Sequence, residues 1–225
     1  MAGMGRYKDA ARYRELLDGC TAYAEEHGLF DLTLRPLAED LGTSTRNLLH
    51  HFGSRELLVE AVVDRVRASY LDMSRELISR IRCLSEESEQ RSGPEAVADV
   101  IAEGLNLAWA EASTPSGRRR IALFFEIYSA AARDPGLRES FLRPAVDEWL
   151  TPMADAIERA GTSPGAARSI AARIVAVHRG LLLEYLALGP DGDTQSAHDD
   201  AVVAARAEIL AGTLPTVSDF AAEAK

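Results

Sequence analysis

Apolar residues recur every three or four positions along most of the chain, the period of helices rather than the alternation of strands. Leu16, Leu17, Cys20, Tyr23 and Ala24 form one such stripe and predict a helix from about Asp9 to His27, ended by Gly28. Leu29, Phe30 and Leu32 follow as core plugs. Leu34, Leu37, Ala38 and Leu41 then predict a short helix, with Thr33 as its cap and Pro36 in its first turn, where a missing N–H is no loss. Gly42 suits a turn that needs positive φ, and Ser44 is a natural N-cap for a second short helix through Thr45 and His50. Phe52 packs back, Gly53 breaks the chain and Ser54 starts a long helix. Its stripe runs from Leu57 through Val62, Val66, Tyr70 and Met73 to Leu84, about seven turns. Such a helix would carry a tilt at Met73 rigidly to Leu57.

Beyond it the punctuation is regular. Ser92-x-x-Glu95, with Pro94 inside, predicts a capping-box start for a helix that carries Val97, Ile101, Leu105 and Trp109 and ends by Thr114-Pro115. Arg118, Arg119 and Arg120 lead into IALFFEIYSAAA; as a charge run they fit a solvated or salt-bridged helix start better than a second nucleic-acid patch. Asp134-Pro135-Gly136 is a turn. The segment after it is helical in period but interrupted by Pro144 and Pro152, which free the carbonyls of Ser140 and Glu148. Two kinks could shape a cavity wall, or the helix could break into short pieces; the pattern slightly favours the second. Helices over Gly165 to Leu188 and from about Gln195 to Gly212 close the chain. Both are rich in small residues, and the first has a stripe too broad for one partner, as expected of a pair that forms a four-helix bundle with its twin through residues 163–212.

Composition narrows the class. The 225 residues, 47% hydrophobic with few aromatics, point to an all-α protein, and no apolar run reaches the roughly 18 residues of a membrane span. The N-terminus lacks the apolar core of a secretory signal, and Cys20 and Cys83 have no ligand spacing, so a cytoplasmic protein is expected. A net charge of −10 argues against indiscriminate nucleic-acid binding. Yet Arg6, Lys8, Arg12 and Arg14 stand against Asp9 near the N-terminus, as a solvated tail or a basic arm. No Asp or Glu occurs from Gly42 to Arg55.

That acid-free window coincides with the second of two short helices joined by a tight turn, the spacing of a helix-turn-helix whose second helix enters the major groove. Arg46 and Asn47 can make bidentate contacts to guanine and adenine, with Thr45 beside them, while Thr33, Ser44, His50, His51 and Arg55 suit phosphate oxygens. An ordinary helical hairpin with a solvated face is the plain alternative.

The stretch HGLFDLTLRPLAEDLGTSTRNLLHHFGSRELLVEAV resembles the N-terminal domain of the TetR (tetracycline-repressor-like) family of transcription regulators. The matching features are Gly28, Thr33, Arg35, Leu37-Ala38, the Gly42 turn, Ser44, Leu48, His50, Phe52 and Gly53 to Leu58, and the likeness is specific over about residues 8 to 66. Leu49 stands where the family usually has a phosphate-touching Tyr, His51 replaces another Tyr, Arg55 a Lys, and Arg46-Asn47 a frequent Gly-Thr. The resemblance implies a three-helix DNA-binding domain over 1–60 and a larger helical ligand-binding and dimerisation domain over 61–225, with Arg35 and Leu49 joining the DNA-facing set.

A regulator of this kind would enclose an apolar pocket, and the body offers Tyr70, Met73, Trp109, Phe124, Phe125, Tyr128, Trp149, Met153, His178 and Tyr185, although aromatics at helical spacing also build plain core. Glu126 and Glu184 are the charges expected to face inward. No metal cluster, cofactor loop or nucleophile–base pair is present, so neither a cofactor nor an enzyme is expected. The reading is therefore a homodimer that binds double-stranded palindromic DNA and answers to a small apolar effector. A helical adaptor that binds protein without touching DNA is the alternative.

Overall fold

The computed structural model describes residues 2–86, 93–189 and 193–212, with side chains throughout these ranges except at 2–9, 71–78 and 80–86. The protein is all-α, and no strand occurs among the described residues. Its helices are α1 (Ala2–His27), α2 (Leu34–Asp40), α3 (Thr45–Phe52), α4 (Arg55–Glu86), α5 (Pro94–Ala112), α6 (Pro115–Ala131), α7 (Pro135–Leu137), α8 (Arg143–Arg159), α9 (Pro164–Leu188) and α10 (Asp193–Gly212). No described helix is long and apolar enough to cross a membrane.

Two compact units emerge, one of Met1–Leu71 with Pro115–Pro144 and one of Asp72–Thr114 with Ala145–Lys225. In the first, Leu16, Cys20 and Ala24 of α1 are buried together with Leu37, Leu48, Phe52, Leu58 and Val62. Burial lifts the Cys20 thiol to about 11, so it is a packing residue and not a nucleophile. Tyr13 packs on Phe52 with ring centroids 5.0 Å apart, and Arg65 pairs with Asp18 at 2.9 Å. In the second unit, Val97, Ile101 and Leu105 of α5 share a core with Met153, Ile157, Ile170, Ile174 and Ile209.

Several expectations change. The first helix begins at Ala2 rather than Asp9, because Met4, Arg6, Lys8 and Ala10 are good helix formers and neither Gly3 nor Gly5 interrupts them. The basic arm is thus helical in its backbone, and the side chains of Arg6 and Lys8 lie outside the described residues. Gly93 is the N-cap of α5, and the capping box expected from Ser92 lies outside the described residues. Arg119 and Arg120 act on Glu25 of α1, whose pKa burial raises and these two cations lower. Two of the three arginines thus lie near an acid of the same unit.

Pro144 and Pro152 behave differently from each other. Ahead of Pro144 the chain widens into a π-helical turn over Arg138–Leu142, and the Ser140 carbonyl that Pro144 leaves without its helical donor accepts from the Arg67 guanidinium. At Pro152 no break occurs. α8 runs through it, held by the burial of Leu150, Met153, Ala154, Ala156 and Ile157, which offsets one lost backbone bond.

Candidate functional site

The geometry of α2, α3 and their turn follows from local chemistry. The Gly42 backbone sits at φ 58, and Thr43 N donates to Ala38 O at 2.9 Å, which closes the turn after α2. Ser44 Oγ accepts from Asn47 N at 3.1 Å and fixes the start of α3. Thr33 occupies the N-cap of α2 in extended conformation, yet its hydroxyl makes no capping bond and stays exposed. Leu48 and Phe52 bury one side of α3, so Thr45, Arg46, Leu49 and His50 face outward, with Asn47 and His51 half-buried.

Individual side chains are differently committed. Asn47 Nδ2 donates to Thr43 Oγ1 at 2.9 Å, which uses one amide proton and leaves a second donor and the amide oxygen. Arg35 pairs with Glu39 at 3.0 Å, an exposed ion pair worth little and readily exchanged for a phosphate. The His50 and His51 rings lie 5.2 Å apart. Arg55 is turned to structure: Nε donates to Leu32 O at 2.8 Å and a terminal nitrogen to Phe30 O at 2.7 Å. Nothing in the local sequence signals those long-range bonds.

The aromatic residues of the body fall into two groups. In the first unit Tyr70 stacks on Phe124 at 4.3 Å, and Phe125, Tyr128 and Phe141 also pack on Phe124. In the second, Trp109 stacks flat on His198 at 4.4 Å, meets Tyr185 at 5.2 Å and donates from Nε1 to Gln195 Oε1 at 2.8 Å. His178 lies 5.8 Å from His198, whose Nε2 is 3.1 Å from Asn106 Oδ1. Trp149 and Met153 belong to the core of that unit. The side chain of Met73 lies outside the described residues.

Sequence reasoning missed His198, because Gln195, Asp199 and Asp200 around it read as a solvated face. It also misplaced one acid and missed the partner of another. Glu184 is exposed, on the side of α9 away from its buried stripe. Glu126 accepts from the backbone N–H groups of Leu29 and Phe30 and does not wait for a ligand.

A cavity of about 150 Å³ between α9 and α10 is lined by Leu105, Ile174, Val177, His178, Leu181 and His198. A groove of about 620 Å³ in the first unit is lined by Phe30, Val59, Val63 and Leu137 with Glu56, Glu60, Asp64 and Asp134. Of the expected pocket residues whose side chains are described, only His178 lines either. Its Nε2 is buried without a hydrogen-bond partner. Burial, then the charges of His198 and Arg179, pushes its pKa down to about 4.

The unfolded chain, with an ordinary histidine near 6.5, binds that proton more tightly than the folded one. Stability from this group is thus complete above about pH 6.5 and is lost as the pH falls toward 4. Urea midpoints at about pH 7.5 and about pH 5 are expected to differ more in the parent than in His178→Leu. An equal acid shift in both proteins would assign it to other groups.

Comparison with known proteins agrees with this arrangement. The profile of bacterial regulatory proteins of the tetR family matches residues 16–62, and that of the tetracyclin repressor-like C-terminal domain matches 92–215. No curated protein matches the chain in sequence. Among solved structures it is similar to a TetR transcription regulator from Haloarcula marismortui at 16% identity and TM-score 0.65, over 91% of this chain and 100% of that one. It is also similar to a transcriptional regulator from Saccharomonospora viridis in complex with choline, at 18% identity and TM-score 0.61, over 85% and 94%. A third is SmeT, the repressor of the Stenotrophomonas maltophilia multidrug efflux pump SmeDEF, at 18% and 0.58, over 87% and 88%. At these identities the likeness concerns the fold.

Proposed function

The chain belongs to the TetR family of ligand-responsive transcriptional regulators, which are not enzymes, and we propose that it is a cytoplasmic repressor that binds a palindromic operator as a homodimer and is released by a small apolar effector. The observation that carries this reading is α3 itself: capped by Ser44, anchored by Leu48 and Phe52, and exposing Thr45, Arg46 and His50 from a window without a single acid. A reading head within residues 1–60 and a ligand-binding, dimerising body over 61–225 divide the work. Two such heads about one DNA turn apart, roughly 34 Å, read the two half-sites. The effector prefers the arrangement in which that spacing is wrong, and so shifts the population away from DNA.

Arg46, Asn47 and Thr45 read bases in this scheme, and Thr33, Arg35, Ser44, His50, His51 and Arg55 meet the backbone beside Leu49. Arg55 does so with whatever donors its bonds to Phe30 and Leu32 leave. Selection from a random duplex pool by the purified protein, followed by a salt titration on the winner, tests the reading. A palindrome with a steep salt slope is expected. No enrichment by folded, dimeric protein at low salt would sink DNA reading and leave the protein-binding adaptor.

Arg46→Ala is expected to lower operator affinity by about 1–3 kcal/mol and to relax the selected sequence at one position in each half-site. An unchanged sequence profile, with affinity reduced equally on every duplex, would move Arg46 to the phosphate contacts.

A further inference from the structure

The loop between α1 and α2 is gripped from two sides by residues distant in sequence. Gly28 ends α1 at φ 86, and the turn it makes aims the next two amides in one direction. Leu29 N and Phe30 N both donate to Glu126 Oε1 of α6, at 2.9 and 3.0 Å. Successive N–H groups in a turn form a small anion-binding nest, and here a carboxylate from the same chain fills it. From the other side Arg55, the first residue of α4, donates to the carbonyls of Phe30 and Leu32. The segment so held ends one residue before Thr33, the N-cap of α2.

We propose that Glu126 is a positioning residue for DNA reading: by holding the amides of Leu29 and Phe30 it ties α6 to the loop that launches the helix-turn-helix and sets the angle at which α3 is presented. The proposal rests on the DNA-reading function above. A carboxylate in this place is directional, because two charge-assisted bonds converge on one oxygen, and apolar packing alone would allow the loop to slide. The turn itself favours glycine: Gly28 has a positive φ that only glycine adopts without strain, while a Cβ there would meet the Glu126 carboxylate at an ordinary 3.5 Å. The first compact unit accordingly contains α6 together with α1 to α3.

The test compares full-length Glu126→Ala and Glu126→Gln with the parent by amide hydrogen exchange at residues 29 and 30, and by affinity for the duplex the parent selects. In Glu126→Ala, exchange at both amides is expected to accelerate at least about tenfold and operator affinity to fall at least about tenfold. The slope of log affinity against log salt stays unchanged, since no phosphate contact is lost. Glu126→Gln keeps an oxygen that accepts both N–H groups and is expected to stay within about threefold of the parent on both counts.

Folded Glu126→Ala with fast-exchanging amides but affinity within about twofold of the parent would reduce the clamp to a brace and overturn the proposal. Unchanged exchange would overturn it equally. Should Glu126→Ala fail to fold, Gly28→Ala strains the same turn, and affinity within about twofold there, with exchange at residues 29 and 30 accelerated, has the same force. A parent that selects no duplex removes the DNA-reading premise and the positioning role with it, while the exchange rates still report whether the clamp forms.

Discussion

Val203→Glu is expected to turn the protein from dimer to monomer without unfolding it. Val203 is 68% exposed on α10 in the single chain, so a glutamate there is solvated and should change the fold's stability by less than about 0.5 kcal/mol. In a homodimer built through residues 163–212 the same carboxylate would enter an apolar contact and stand uncompensated, at a cost of several kcal/mol. Val177, Leu183 and Leu188 on α9 are also exposed large apolar residues. Single scattered apolar residues need no explanation, but four of them on the two helices assigned to the bundle favour a covered face.

Light scattering across a concentration series would show the change of mass directly. Operator affinity should fall with it, because a monomer engages one half-site and loses the effective concentration that the second head enjoyed; a loss of about 10²- to 10⁴-fold follows. A variant that remains a dimer with parental affinity would place Val203 outside the interface.

Leu48→Ala is expected to destabilise the reading head strongly. Leu48 is fully buried in α3, and its side chain has no solvent to relax into. Removing it forfeits transfer energy and leaves a cavity, together about 2–5 kcal/mol, a large part of the roughly 5–15 kcal/mol that holds a typical domain. The urea midpoint should drop accordingly. DNA binding should weaken even where the protein remains folded, since α3 loses one of its two buried anchors. Leu49→Ala is the internal control: the neighbouring side chain is 39% exposed, and its truncation should cost less than about 1 kcal/mol of stability. A Leu48→Ala cost under about 1 kcal/mol would mean that α3 is not anchored as described.

The helix-turn-helix was legible because every rule that builds it is local. Ser44 reaches an N–H three residues away, Gly42 supplies a conformation that needs no partner, and Leu48 and Phe52 share a face by the period of the helix alone. The bounds of α9 and α10 fell within about two residues of expectation for the same reason. Prolines were less readable. Pro152 sits inside a continuous helix because burial around Met153 and Ile157 outweighs its lost bond, and that burial depends on what packs against α8.

Sequence alone determined an all-helical chain, its reading head, the acid-free face of α3 and the family to which these belong. Tertiary structure decided which polar groups meet. Glu126 was expected to face inward, and its partners prove to be amides 96 and 97 residues away; Arg55 binds carbonyls 23 and 25 residues away; His198 finds Asn106 across 92 residues. The physical reason is one of range. Caps, turns and amphipathic stripes are set by interactions within a few residues, so composition and spacing encode them. The partner of a buried or half-buried polar group depends on which helices pack and at what register, and a single chain's pattern leaves many pairings equally compatible with its periodicity.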